Sequence, residues 1–235
     1  MMQNESVLVL ASASPRRQEL IRLMGVPFRV CPANVEEQVD ERSSPQQVVE
    51  TLSLHKALAV AKRLEDREKG AVVIGSDTVV VLDGQLLGKP ANEAEARETL
   101  KKLQGRTHEV YSGIACVRAD GKYGDGTTGT AKPFGEIGAY RVISESAAGL
   151  PEAIIGHTVT RVTFRAMSDE EIESYVKTGE PLDKAGSYGV QGWGAVFVEK
   201  IEGDFYSVMG LPVNLLYRML DELGINGMKS GIKKL

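Results

Sequence analysis

At 235 residues, 42% hydrophobic and 26% charged, the chain can bury one substantial core or two small lobes sharing a cleft. Its 28 basic and 32 acidic side chains give a net charge of −4, which excludes a whole-molecule basic field for nucleic acid. No apolar stretch approaches the roughly 20 residues that a helix needs to span a bilayer.

The chain opens on an apolar run, Val7 to Leu10, that breaks into Ala11-Ser12-Ala13-Ser14-Pro15-Arg16-Arg17. Ser14 suits a helix N-cap and Pro15 its first turn, and Leu20, Ile21, Leu23 and Met24 continue at helical spacing. A strand feeding a helix start with hydroxyls and two guanidinium groups is an arrangement that holds phosphate. Phe28 to Cys31 reads as a short strand before the acidic stretch Glu36 to Glu41. Ser44-Pro45 starts a long apolar-faced helix closed near Gly70. Val72-Val73-Ile74 reads as a strand covered on both faces, running through Gly75-Ser76-Asp77-Thr78 into Val79 to Val81. Asp83-Gly84 turns it back through Leu86 to Pro90.

A helix over Ala94 to Leu103 follows, stopped by Gly105, and then a strand over Thr107 to Val117. The glycine-dense stretch from Asp120 to Gly135 reads as the start of a mobile surface excursion reaching residue 156, with Ile137 to Ile143 as an added strand. His157 to Phe164 resumes as strand. Ser168 to Glu171 forms a capping box for a helix ended by Gly179-Glu180-Pro181. Leu182 to Gly194 reads as loop, and Ala195 to Ile201 with Phe205 to Val208 as a hairpin about Gly203-Asp204. Pro212 opens the last helix, and the glycine- and lysine-rich residues 225–235 form a flexible tail.

Asp77 stands where a buried strand turns polar, a position costly for a carboxylate unless it is bonded, paired or on a metal. A turn or cap aspartate explains it as well as function does. Glu37 is the second carboxylate, with Glu36 beside it as the alternative and a solvated acidic loop as the plainer reading. Two carboxylates from separate segments suit Mg²⁺ or Mn²⁺ and a water aimed at phosphorus. Lys56, Lys89 and Lys184 are candidate cations, and Gln191, between Gly189 and Gly192, has an amide able to read a base edge. His55, His108 and His157 have no zinc-ligand spacing, and neither a Gly-x-Ser-x-Gly elbow nor a P-loop is present. Cys31 and Cys116 read as free thiols of a reducing compartment, and the opening residues lack the features of a signal peptide, so a cytoplasmic location is expected.

Several stretches, in order, resemble the Maf family of septum-formation-inhibitor-like nucleotide pyrophosphatases. They are Ala11 to Leu20, Gly75 to Thr78, Gly88-Lys89-Pro90, Leu103 to His108, Gly179 to Gly186, Tyr188 to Gly192 and Gly203 to Pro212. The resemblance implies an α/β fold: an elongated mixed sheet flanked by helices, two lobes around a central cleft, related to the inosine triphosphate pyrophosphatases. One domain over residues 1–224 would carry an insertion at about 119–156. The implied reaction is metal-dependent hydrolysis of a nucleoside triphosphate to monophosphate and pyrophosphate, with dTTP and UTP favoured, as house-cleaning of nucleotide pools. Asp77 matches the family's proton acceptor, and Ser12, Arg16, Arg17, Glu37, Lys56 and Lys89 match its active-site set, Asp77 and Glu37 holding the metal. Arg16, Thr78 and Gln191 match positions tied to substrate choice. Ser76 stands where the family usually has alanine. A homodimer is implied. The alternative reading is a non-catalytic, nucleotide-binding regulator of septum formation and cell division, and a nucleic-acid-binding protein conflicts with the charge balance.

Overall fold

The computed structural model describes residues 8–35, 42–64, 70–121, 123, 129–226 and 228. Their strands form one nine-stranded mixed sheet. In chain order they are β1 (Leu8–Leu10), β2 (Phe28–Val30), β3 (Val72–Leu82), β4 (Gln85–Leu87), β5 (Thr107–Arg118), β6 (Lys132–Phe134), β7 (Gly138–Glu145), β8 (Pro151–Phe164) and β9 (Val198–Glu202). The main order across the sheet is β2-β1-β3-β5-β8-β7-β6, with β4 also on β3 and β9 also on β8. The helices are α1 (Pro15–Arg22), α2 (Pro45–Ala61), α3 (Glu93–Leu103), α4 (Asp169–Lys177), α5 (Phe205–Met209) and α6 (Val213–Glu222).

Period-two burial places apolar layers on both faces of the β1-β3-β5-β8 half of the sheet. Leu8, Leu10, Ile74, Ile114 and Ile154 pack with α1 and α6 on one face, and Val9, Val73, Ala115 and Ile155 with α2 on the other. Farther along the strands, Val80, Val110, Val162 and Phe164 pack with α3 and α4 in a second core. The two cores are the expected two lobes, joined by continuous strands.

The gap that becomes the cleft follows from strand lengths. β1 pairs with β3 only at Val72–Ile74, and β4 only at Val80–Leu82. Between them β3 keeps β5 on one edge, from Gly75 opposite Ala115 to Val79 opposite Tyr111, and among the described residues no strand on the other. Ligands collect at such breaks in open α/β sheets, where chain segments depart in different directions.

Several expectations need correction. The excursion to residue 156 is largely sheet: β6 and β7 extend its edge, and β8 begins at Pro151 rather than His157. Ala153, Ile154 and Ile155 are buried, which anchors that start. Phe205 to Val208 is helix rather than the second arm of a hairpin, because Asp204 caps it by accepting from the Tyr206 N–H. Helix α2 ends at Ala61, short of Gly70. Ser14 occupies the N-cap position of α1 without a capping side-chain bond; its own N–H donates to Ser12 Oγ at 3.2 Å. In the predicted tail, Ile225 and Asn226 are buried, and the Asn226 amide donates to Tyr217 and Asp221. The acidic stretch Glu36 to Glu41, with Glu37, lies outside the described residues.

Candidate active site

Helix α2 lies unusually close to the sheet because two strand positions lack side chains. A Cβ on Gly75 would stand 2.0 Å from the Ser53 carbonyl oxygen, and one on Gly113 2.2 Å from that of Val49. Any larger residue would lift the helix off the sheet. The contact lowers Lys56 onto the adjacent strand, where its Nζ meets Asp77 Oδ1 at 2.6 Å. Both side chains are about nine-tenths buried, at 12% and 10% exposure, so the two charges are paired with little water between them.

This pair lies on the floor of a cleft of about 730 Å³. Ser12, Arg16 and Arg17 form one wall, at the start of α1, and Lys89 enters from the end of β4. Lys184, Tyr188 and Gln191 stand on the opposite wall, and Thr78 completes the floor beside Asp77. Nine of the ten residues singled out from the sequence therefore line one crevice, although they span positions 12 to 191; the tenth, Glu37, lies outside the described residues. Val48, Leu52, Val79 and Leu86 add an apolar side.

Arg17 is held by the chain itself. Its Nε donates to the Gly210 carbonyl at 2.7 Å, and its terminal nitrogens reach Ser12 Oγ at 3.4 Å and Thr78 Oγ1 at 3.3 Å. Thr78 also shares a 2.9 Å bond with Ser112, whose hydroxyl donates to the Ser207 carbonyl at 2.7 Å. Ser76, fully buried, aims its hydroxyl at the Gly113 and Gly210 carbonyls at 2.9 and 3.0 Å. The segment Ser207–Gly210 is thus fixed to the sheet by hydroxyls of β3 and β5, and it fixes Arg17 in turn. Sequence reasoning assigned nothing to Ser112, Ser207 or Gly210; the run from Gly203 to Pro212 was the signal for the last two, and Ser112 had none.

Across the cleft, Arg16 lies 3.9 Å from Asp183, and Lys184 donates to Asp183 at 2.6 Å and to the Glu180 carbonyl at 2.6 Å. Burial works to raise the Asp183 pKa, but the Lys184 bond and the field of Arg16 outweigh it, and the net shift is downward. The Gly186 N–H donates to the Gly88 carbonyl at 3.2 Å, tying the Lys184 loop to the strand end that carries Lys89. Among the described residues no group of three or more His, Cys, Asp or Glu side chains gathers for a metal. The site is therefore a cationic crevice with one carboxylate on its floor. Chemically it can neutralise a chain of phosphates and present one oxygen acceptor to a water.

The family model described as "Maf-like protein" matches residues 7–223. A Bacillus cereus protein named dTTP/UTP pyrophosphatase is 41% identical over 224 residues, covering 95% of this chain and 93% of that protein. A Bacillus anthracis protein of the same name is 42% identical over 219 residues, covering 93% and 96%. Among solved structures, a nucleoside-triphosphatase / dITP/XTP pyrophosphatase from Mycobacterium abscessus aligns at a TM-score of 0.35 and 14% identity, over 68% of this chain and 75% of that one.

Proposed function

Because the chain belongs to the Maf-like protein family, we propose that it hydrolyses nucleoside triphosphates, dTTP and UTP foremost, to the monophosphate and pyrophosphate. The observation that carries this reading is the Lys56–Asp77 pair on the floor of a crevice walled by Arg16, Arg17, Lys89 and Lys184. A triphosphate is the ligand whose charge matches those walls on a chain of net charge −4.

In this mechanism Asp77 accepts a hydrogen bond from the attacking water and takes its proton as the oxygen bonds to the α-phosphorus. The bond from that phosphorus to the bridging oxygen breaks, and pyrophosphate leaves with the electron pair. Lys56 holds the Asp77 carboxylate in place through the 2.6 Å bond between them. Arg17, already fixed by Gly210 and Thr78, needs little reorganisation to meet the charge that develops on the leaving group. Gln191 faces the nucleobase, where an amide both donates to a pyrimidine carbonyl and accepts from its imide N–H.

An oxygen donor such as Asp77 suits Mg²⁺ or Mn²⁺, which are commonly bound by one or two carboxylates together with substrate phosphates. Asp77 would hold the ion, with Glu37 as the expected second ligand, and the ion would supply charge neutralisation to the phosphates. Clearing unwanted pyrimidine triphosphates from the nucleotide pool is the corresponding cellular role.

The test is Asp77→Asn assayed with UTP and dTTP in the presence of Mg²⁺. Loss of a general base predicts a fall in pyrophosphate release of about a hundred- to ten-thousand-fold with the fold intact. Near-normal turnover by the folded variant would remove Asp77 from the chemistry. Nucleotide binding without pyrophosphate release by the unmodified protein would favour a regulatory role instead.

A further inference from the structure

The loop that carries Gln191 is closed onto a single carboxylate. Glu180 Oε2 accepts from the Trp193 N–H at 2.8 Å, and its Oε1 accepts from the Gly194 N–H at 3.2 Å and from the Tyr175 hydroxyl at 2.8 Å. Tyr175, only 3% exposed, donates its hydroxyl hydrogen to Glu180, so its oxygen is the acceptor for the Gly189 N–H at 3.0 Å. Residues on both sides of Gln191 therefore hang from one side chain, directly or through one hydroxyl.

Three glycines make this wrapping possible. A Cβ on Gly192 would lie 2.3 Å from Glu180 Oε2, one on Gly189 2.9 Å from Glu180 Oε1, and one on Gly194 2.7 Å from the Tyr175 hydroxyl. The approach to the loop is also under strain: Ser187, fully buried, holds a φ of +60°. Gln191 itself is exposed at the cleft. Its position is set by the backbone beneath it.

We propose that Glu180, acting partly through Tyr175, is the positioning residue for nucleobase selection, holding the Gly189–Gly194 loop so that the Gln191 amide meets the base edge. The inference rests on the reading of Gln191 given above. The carboxylate is needed as such, because three donors converge on it and it must accept from all of them. A glutamine there would turn an N–H against a donor.

The test uses the full chain with Mg²⁺ and compares kcat/KM for UTP with that for CTP in Gln191→Ala, Glu180→Gln and Tyr175→Phe. Tyr175→Phe keeps the ring and packing while removing only the relay, which guards against a variant that fails to fold. The expected result is a fall of about three- to tenfold in the UTP-over-CTP ratio in all three variants, the weight of one net hydrogen bond. If Gln191→Ala lowers the ratio while folded Glu180→Gln and Tyr175→Phe leave it unchanged, or slow both nucleotides equally, the positioning role is overturned and Gln191 stands. If Gln191→Ala leaves the ratio unchanged, the nucleobase reading of Gln191 falls, and this inference with it.

Discussion

A hydroxyl at a cleft does not always face the ligand. Thr78, matched from sequence to substrate choice, has its oxygen bonded to Arg17 and Ser112, so under the proposed function it acts on substrate through Arg17. Ser76 serves the same guanidinium from below, through the Gly210 carbonyl. Ser76→Ala should therefore cost about 1 kcal/mol in urea unfolding and raise KM for UTP a few-fold while kcat changes less. An unchanged KM would separate Ser76 from Arg17. His108 makes a second prediction at this scale. Burial lowers its pKa to about 4 from 6.5, while its Nε2 meets the Tyr188 hydroxyl at 2.9 Å. Between pH 6.5 and 4 the unfolded chain takes up a proton that the folded one refuses, so stability rises with pH across that window and is lost as pH falls through it. His108→Phe, which can pack against Phe164 and Tyr188, should flatten that part of the profile of melting temperature against pH.

Among the elements, α2 is gripped from two sides. Its glycine-mediated contact with β3 and β5 sets the height of Lys56, and Glu50, one and a half turns earlier, is bonded at 2.7 Å to Arg141 of β7 and at 2.7 Å to His157 of β8. Burial alone would raise the Glu50 pKa, but the bonds from His157 and Arg141 prevail and lower it below 4.5. Its contribution is therefore present above the unfolded value near 4.5 and is lost as pH falls through the lower folded value. Arg141→Ala strips a partner from a buried carboxylate and should destabilise by about 3 kcal/mol at pH 7, read from urea midpoints, with the gap to the parent narrowing below pH 4. The sequence made the regular elements legible: the Pro15 and Pro45 helix starts, the capping box at Ser168 and the Asp83-Gly84 turn all lie where their local chemistry points. It did not show that Arg141 of β7 reaches Glu50 of α2, 91 residues away in the chain. Nor did it show that the strand-like composition of Phe205 to Val208 yields to a cap at Asp204. The first is set by a tertiary partner and the second by a local cap, and neither follows from the composition of the segment.

At the scale of the molecule, the site residues were legible as a series of motifs in chain order, although only Ser12, Arg16, Arg17 and Lys89 lie at a helix start or beside a strand end; Asp77 and Thr78 are mid-strand in β3 and Lys56 is late in α2. What joins them was not legible: Glu180 reaches Trp193 and Tyr175, and Gly210 reaches Arg17 across 193 residues. The charge distribution carries its own prediction. A cationic crevice in an acidic protein should bind a triphosphate by field as well as contact, so raising ionic strength from 50 to about 500 mM should raise KM markedly as the Debye length shrinks from above 10 Å to below 5 Å. A KM indifferent to salt would mean that direct hydrogen bonds do most of the holding.

The strand beneath the cleft has a quieter consequence. β3 is laced to β5 without interruption from Val72 to Val81, and it belongs to both cores. Amide protons along β3 should exchange with solvent among the slowest in the protein, and that of the exposed Gln191 far sooner. Such a molecule works like an anvil: the oxygen at position 77 rides on the part of the sheet that yields last.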